Sequence, residues 1–209
     1  MLLKEYLEDP CGKLSIPYWK NKNIKIPENM KIIHQNDFDN KDLLDYHDEK
    51  YFRLIHYLDN INAIYPSTEF SIKTAEIFDI PLIVEIINHS YSDLSVDYEQ
   101  ILSYTHTKVY DRNLWVLAYE IKTDSIVGCG IADFDREARE GILEWIQVLP
   151  EYRGKKIGQM IVNELLFRMK KADFATVSGK TNNPTKPEKL YRSCGFVGND
   201  IWHVLTKKH

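Results

Sequence analysis

Cysteine is scarce in this chain, and long apolar runs are missing. The 209 residues contain three cysteines, Cys11, Cys129 and Cys194, whose wide spacing gives neither a disulfide framework nor a CxxC metal site. This usage favours a reducing, cytoplasmic environment. No apolar stretch is long enough to span a bilayer, so we expect no membrane partner. The opening segment, MLLKEYLEDPCGK, is too charged to act as a secretion signal.

Net positive charge and clustered histidines are lacking too. The 27 Lys and Arg residues are outnumbered by 31 Asp and Glu residues, so the net charge is −4 and the whole molecule does not attract nucleic acid. Any anion site must therefore be local. The seven histidines never stand at tight ligand spacing, so no metal site is expected. Neither the G-x-x-x-x-G-K-[ST] nor the G-x-G-x-x-G nucleotide pattern occurs.

The segment from Glu69 onward has clear alternating periodicities. Strand-like runs and amphipathic helical runs follow one another in the order β-α-α-β-β-β-α-β-α-β. Three consecutive strands joined by short turns do not fit a doubly wound parallel sheet. The order predicts a mixed α/β fold whose central strands are antiparallel neighbours.

Residues 1–68 differ in composition and form a separate predicted unit, set apart from 69–209 near Pro66. The first part is rich in Pro, Asn and Lys, with short strand-like patches at Ile24–Ile26 and Lys31–His34. The following run predicts one helix, because its apolar residues fall on one helical face: Leu44, Tyr51, Leu54, Ile55 and Leu58.

The role of this N-terminal extension stays open. Its aromatic residues Tyr18 and Trp19 stand beside prolines and could fold over a substrate slot. The extension could equally cover an edge of the sheet or form a dimer contact. Covering an edge is the simplest of the three roles.

The stretch VLPEYRGKKIGQM, from Val148 to Met160, is the most informative part of the chain. A strand ends at a proline, three cations surround Gly154, and a second glycine, Gly158, stands at the predicted start of a helix. The start of a helix exposes N–H groups without partners and carries partial positive charge, and glycine lets an anion approach them. This corner suits a pyrophosphate, although a solvated basic turn that merely precedes a helix is the alternative.

Two motifs resemble the GNAT superfamily of N-acetyltransferases. The family signature [Q/R]-x-x-G-x-[G/A] is matched by Arg153, Ile157 and Gly158, with Lys156 in place of the central glycine. The block NNPTKPEKLYRSCGF resembles the family's last helix. The resemblance covers residues 69–209. It implies a mostly antiparallel sheet with a V-shaped splay, flanked by helices on both faces.

The resemblance implies that the acyl donor is acetyl-coenzyme A (acetyl-CoA). Main-chain amides at the corner would hold its pyrophosphate, the strand before the corner would bind its pantetheine arm, and a loop asparagine would contact that arm or cap the last helix. The implied donor-binding residues are Ile146, Val148, Arg153, Gly154, Lys155, Lys156, Ile157, Gly158 and Asn183.

Two residues are the implied catalytic groups. Tyr191 matches the tyrosine that protonates the departing thiolate, with a packing role as its alternative. Glu144 stands in an apolar strand, where a carboxylate needs a partner or a task. It would deprotonate the incoming ammonium through water, or it would lie exposed beside a lysine. Strand alternation directs Trp145 and Gln147 to the other face. Cys194 lies at a helix C-terminus, which disfavours a nucleophilic thiolate.

The leading hypothesis is acetyl transfer from acetyl-CoA to a primary amine by direct attack in a ternary complex. The acceptor is a small molecule or a peptide N-terminus, and a homodimer is possible. A second hypothesis is a CoA-binding sensor or interaction module without turnover. A third is a phosphate-binding domain for another nucleotide.

Overall fold

Eight strands form one sheet in the computed structural model, which describes residues 28–61, 67–91, 94–183 and 185–208. The strands are β1 (Met30–His34), β2 (Tyr46–His56), β3 (Phe70–Thr74), β4 (Tyr110–Glu120), β5 (Ser125–Asp135), β6 (Glu140–Val148), β7 (Phe174–Lys180) and β8 (Val197–Lys207). Their spatial order is β1-β8-β2-β7-β6-β5-β4-β3. All neighbours are antiparallel except β6 and β7, which run parallel.

The helices of the described residues cover both faces of this sheet. They are α1 (Ile80–Ser90), α2 (Tyr98–Tyr104), α3 (Ile157–Arg168) and α4 (Pro187–Ser193). On β4, Val116 packs in the cluster that contains α3 and α4, while its neighbour Leu117 packs in the cluster of α1 and α2. Alternate side chains of a strand point to opposite faces, so the two helix layers bury the two faces. The predicted fold class and element order are confirmed.

Helix α3 lies close to the sheet because two glycines of β5 make room for it. A β-carbon on Gly130 would lie 2.5 Å from Cγ2 of Ile161, and one on Gly128 would lie 3.3 Å from Cδ1 of the same residue. The predicted apolar stripe of the helix, which includes Ile157, Ile161 and Leu165, is buried in the first cluster. This packing sets the first turn of α3 beside the end of β6.

The predicted helix in the N-terminal extension is wrong. A short 3-10 turn at Asn40–Leu44 is followed by strand β2, and Leu44 is 77% exposed instead of buried. Strand β2 lies between β7 and β8 with both faces covered, so Tyr51–His56 are all buried. A strand buried on both faces has apolar residues at adjacent positions, here Tyr51–Phe52 and Leu54–Ile55, and periodicity alone does not distinguish such a segment from a buried helix.

The predicted strand patch at Lys31–His34 lies within β1, while Ile24–Ile26, Pro66, Tyr18 and Trp19 lie outside the described residues. The division at Glu69 remains a prediction. The described strands of the extension nevertheless join the same sheet as the rest of the chain.

Candidate active site

The sheet opens between β6 and β7. The two strands pair only from Glu140 with Phe174 to Leu143 with Val177. Beyond that point β7 continues beside β2, while Trp145–Val148 of β6 stay paired with β5. The pairing of Leu143 with Ala132 and of Trp145 with Ile131 leaves Glu144 as an extra residue, a β-bulge that bends the strand. The predicted V-shaped splay therefore begins at Glu144.

Main-chain groups of Ile146 and Val148 are directed into this splay. The Leu149 N–H donates to the Val127 carbonyl at 3.0 Å, so Leu149 faces β5. Hydrogen-bonding directions alternate along an antiparallel strand, so Gln147 faces β5 too, while Ile146 and Val148 face away from it. The strand thus presents donors and an acceptor on the side where β7 has departed.

The corner after β6 is an exposed loop with left-handed backbone at two positions. Gly154 has φ +83° and Lys156 has φ +63°, and residues 153–156 are exposed. The left-handed conformation favours glycine, which explains the family's glycine at the position that Lys156 occupies here. The N–H groups of residues 154–159 find no main-chain acceptor within the described part of the chain. They border the first turn of α3 and suit an anion.

The side chain of Arg153 is used within the protein. Its Nε donates to the Val148 carbonyl at 3.2 Å, and its Nη2 donates to the Ser90 carbonyl at 3.0 Å. Arg153 therefore ties the end of β6 to the end of α1. The Lys155 ammonium lies 5.0 Å from the ring centre of Tyr152 and 5.7 Å from that of Phe70. Arg153 and Lys155, two of the three cations at the corner, thus contact other groups of the protein. The main-chain N–H groups are therefore the main anion-binding feature of this loop.

Ile157 and Gly158 serve packing in this corner. Ile157 is 2% exposed and belongs to the core beneath α3. A β-carbon on Gly158 would lie 3.1 Å from Cδ2 of Leu190, so this glycine lets α4 approach the first turn of α3. A glutamate at this position would therefore crowd α4 as well as place a negative charge beside the loop.

Tyr191 is built into the C-terminal end of α4. The Phe196 N–H donates to the Tyr191 carbonyl at 3.2 Å, and the Gly195 N–H donates to that of Arg192 at 3.1 Å. With Gly195 at φ +97°, this is a Schellman motif. Its usual apolar contact is made by the rings of Tyr191 and Phe196, whose centres lie 5.9 Å apart. The LYRSCGF block therefore encodes a helix end that holds Tyr191.

The Tyr191 side chain is buried, and the carboxylate of Glu144 is among its charged neighbours. The residue is 7% exposed, and its hydroxyl forms no hydrogen bond within the described residues. Burial raises the pKa of this hydroxyl, and the charges of three neighbours, Tyr91, Cys194 and Glu144, raise it further. Tyr191 therefore keeps its proton at neutral pH and lies within electrostatic reach of the half-buried Glu144.

The other predicted residues have simpler surroundings. Asn183 accepts from the backbone N–H of Thr185 at 3.0 Å and from its hydroxyl at 2.7 Å, which orders the loop before α4. Cys194 is 1% exposed, and burial raises its thiol pKa to about 11, which favours packing over nucleophilic attack. Burial also raises the pKa of the Cys129 thiol, to about 12.

Sequence reasoning missed Tyr91, the residue that follows α1. Its hydroxyl accepts from Nε2 of Gln147 at 2.9 Å, and its ring meets that of Trp145 edge to face at 6.3 Å. Trp145 packs with α1 and α2, as alternation predicts, while Ile146 packs on the other side. No local pattern indicates Tyr91, because its partners lie more than fifty residues away.

Two negative findings concern the described residues. Among residues 28–61, 67–91, 94–183 and 185–208, no three His, Cys, Asp or Glu side chains cluster as a metal site requires. In the same ranges, no helix has the length and apolar character needed to cross a bilayer.

The comparisons with known proteins agree with this geometry. Residues 110–198 match the family model of the acetyltransferase (GNAT) domain. No curated protein matches the chain significantly. A GCN5-related N-acetyltransferase from Sphaerobacter thermophilus aligns with a TM-score of 0.69 and 18% identity, over 87% of this chain and 61% of that protein. This chain thus spans about three fifths of that protein's length.

Two further structures share the fold. The ribosomal-protein-S18-alanine N-acetyltransferase from Escherichia coli aligns with a TM-score of 0.51 and 16% identity, over 65% of this chain and 91% of that one. A chain of the NatC complex bound to Gag peptide and CoA aligns with a TM-score of 0.52 and 19% identity, over 68% and 100%. At these identities the likeness shows the fold. The likeness in sequence is carried by residues 110–198, which match the model of the GNAT acetyltransferase domain.

Proposed function

We propose that the protein transfers an acetyl group from acetyl-CoA to a primary amine, by direct attack in a ternary complex. The observation that carries this proposal is the splay after Leu143, into which Ile146 and Val148 direct main-chain groups just before a loop of N–H groups. A thioester arm and a diphosphate need these two kinds of site next to each other. The GNAT family match supports the same donor.

Donor binding follows from this arrangement. The diphosphate lies on the N–H groups of Gly154–Gly158, where the helix dipole and local cations favour negative charge. The pantetheine amides continue the hydrogen-bonding of β6 at Ile146 and Val148, in the place that β7 has left. Asn183, in the loop between β7 and α4, contacts the arm from the other side of the splay.

The chemistry requires one bond to form and one to break. The amine nitrogen attacks the thioester carbon, forming a C–N bond, and the C–S bond then breaks. Glu144 accepts the proton of the incoming ammonium through water, and Tyr191 gives its hydroxyl proton to the leaving thiolate. The second proton that the attacking nitrogen loses as the amide forms returns through water to Tyr191 and restores its hydroxyl. An N–H near Val148 donates to the developing oxyanion. The raised pKa of Tyr191 supports this role, because the hydroxyl is protonated when the thiolate forms.

The acceptor approaches along the wall formed by Tyr91, Trp145 and Gln147. Aromatic rings beside a carboxylate suit an ammonium group, since the ring faces and the negative charge both attract a cation. The names of two structural neighbours refer to protein or peptide substrates, a ribosomal-protein alanine and a Gag peptide. These names support testing peptide N-termini beside small amines.

The test combines binding with turnover. Purified protein is titrated with CoA, acetyl-CoA and a nucleoside triphosphate by calorimetry, and thiol release is followed with small amines, amino acids and peptides of varied N-terminal residue. Binding of acetyl-CoA with amine-dependent thiol release supports the proposal. CoA binding without release for any amine favours the sensor, and binding of the triphosphate alone favours the nucleotide domain. Light scattering on the same sample tests the proposed homodimer.

A further inference from the structure

Strand β2 lies directly beneath the proposed proton donor, although it precedes the family-matched residues 110–198 by more than fifty positions. It is inserted between β7 and β8, and it pairs with β7 from Tyr51 to His56. Alternation places Phe52, Leu54 and His56 on one face of β2. Phe52 and Leu54 belong to the same buried cluster as Tyr191, so this face points toward α4.

Phe52 supports the Tyr191 ring from below. The two ring centres lie 6.3 Å apart, and Phe52 is 2% exposed. Its neighbour on β7 is Gly179, where a β-carbon would lie 2.8 Å from Cζ of Phe52. The glycine thus leaves space for the Phe52 ring, which in turn limits how far the Tyr191 ring can move.

His56 holds the turn that ends α4. A β-carbon on Gly195 would lie 2.9 Å from Nε2 of His56, so the imidazole lies against the Schellman glycine. The ring also meets that of Phe196 edge to face, with centres 5.3 Å apart. On the other side of the imidazole, Nδ1 accepts the Leu58 N–H at 2.9 Å.

The orientation of this imidazole follows from its hydrogen bond. Because Nδ1 accepts, the proton of the neutral ring is on Nε2, which faces the Cys194 carbonyl and Gly195. Burial lowers the pKa of His56 and favours this neutral form, while the charge of Asp59 and the Cys194 carbonyl oppose the shift. The ring therefore links the end of β2 to the helix end that carries Tyr191.

We propose that His56 is a positioning residue for Tyr191: from a strand outside the family-matched region, it fixes the last turn of α4 and so the place of the tyrosine hydroxyl at the splay. The inference rests on the proposed function for its catalytic meaning. The placement of Tyr191 itself is testable without turnover. It gives the N-terminal extension a defined task in the active site.

The experiment compares His56→Ala, His56→Asn and a control, Val204→Ala. Val204 is 6% exposed in a small separate cluster with Tyr51 and Trp202, so its truncation lowers stability without touching α4. The kcat and the KM for acetyl-CoA are measured with the best amine of the panel. In parallel, the thirteen tyrosines are replaced by 3-fluorotyrosine, and the Tyr191 fluorine signal is identified by its loss in Tyr191→Phe.

His56→Ala is expected to lower kcat by about tenfold or more, since a small displacement of a catalytic group is costly, while the KM for acetyl-CoA changes by less than about twofold. The Tyr191 fluorine signal should shift. His56→Asn should lose as much kcat as His56→Ala, because its Oδ1 can still accept the Leu58 N–H but no atom replaces Nε2 beside Cys194 and Gly195. Equal activity of His56→Asn and the wild type would overturn the role of the Nε2 contact. Val204→Ala should leave both kcat and the signal unchanged.

The outcomes separate the two proposals. An unmoved Tyr191 signal in His56→Ala would overturn the positioning role, whatever the protein turns over. A shifted Tyr191 signal in His56→Ala, combined with a wild type that releases no thiol with any amine, would support the placement and overturn the proposed function. An unchanged kcat despite a shifted signal, or an equal loss of kcat in Val204→Ala, would also overturn the inference.

Discussion

Tyr191→Phe tests the proposed chemistry most directly, because it removes one oxygen and keeps the ring. The ring packs against Phe52 and Phe196 in the first core cluster, and those contacts survive the substitution. The hydroxyl forms no hydrogen bond within the described residues, so no partner is left without a donor. We therefore expect the free energy of unfolding to change little.

The expected loss is confined to turnover. A positioned general acid contributes about 10²- to 10⁴-fold, which corresponds to about 2.7–5.4 kcal/mol of activation free energy. The substitution leaves unchanged the main-chain N–H groups of the proposed diphosphate site, which begin at Gly154. Affinity for acetyl-CoA should therefore stay within about twofold while kcat falls.

The assay is thiol release under saturating acetyl-CoA, with calorimetry for donor affinity and thermal unfolding for stability. Tyr110→Phe is a matched control. Tyr110 is half-buried, and its pKa is also raised by burial. It pairs with Asp133, which lies opposite Ile142 in the part of β6 that still pairs with β7, before the splay begins. The raised pKa of Tyr191 further implies that wild-type kcat shows no loss of this acid up to about pH 10, the usual tyrosine pKa.

Retention of kcat within about twofold in Tyr191→Phe would refute this reasoning. Another acid, or water, would then protonate the thiolate. An equal loss in Tyr110→Phe would show that general weakening of the fold, and not the missing proton donor, lowers the rate.

Three more predictions follow from the structure. Gly158→Glu should weaken CoA binding in calorimetry by about tenfold or more, or 1.4 kcal/mol, because it adds negative charge beside the anion loop; Gly158→Ala adds only the crowding of Leu190, so equal losses in the two would contradict the charge argument. Glu140→Gln should lower the free energy of urea unfolding by about 3–5 kcal/mol, because it removes the carboxylate 2.7 Å from the buried Arg53, and a loss below about 1 kcal/mol would count against this ion pair. Because burial lowers the pKa of His56, the unfolded chain takes up its proton first as the pH falls below 6.5, so stability should decline there and level off below the folded pKa. Urea titrations of His56→Asn should show a flatter decline than those of the wild type.

Local motifs could be predicted well, since neighbouring residues carry them. The helix end at Gly195 depends on hydrogen bonds spanning only Tyr191 to Phe196. The loop at Arg153–Gly158 depends likewise on adjacent glycines and cations. The residues of this loop did not predict its backbone conformation. Lys156 adopts the left-handed backbone at the position where the family signature has glycine.

Long-range contacts could not be predicted. The partnership of Tyr91 with Gln147 joins residues far apart in the chain, and neither residue carries a local signal. The pattern of Arg153, Lys155 and Lys156 suggested three cations for a phosphate, yet the Arg153 guanidinium donates to two carbonyls. Which acceptors an arginine side chain reaches depends on the groups that the fold brings beside it.

The amino-acid sequence by itself determined the order of elements from Glu69 onward and the identity of the loop and helix end that make the candidate site, because hydrophobic periodicity, glycine and turn residues act over a few positions. The tertiary structure alone decided that residues 46–56 are a central strand and that this strand lies under Tyr191. Both helical and extended conformations could bury the apolar residues of β2. The choice depends on the open edges of β7 and β8, which exist only once the sheet has formed.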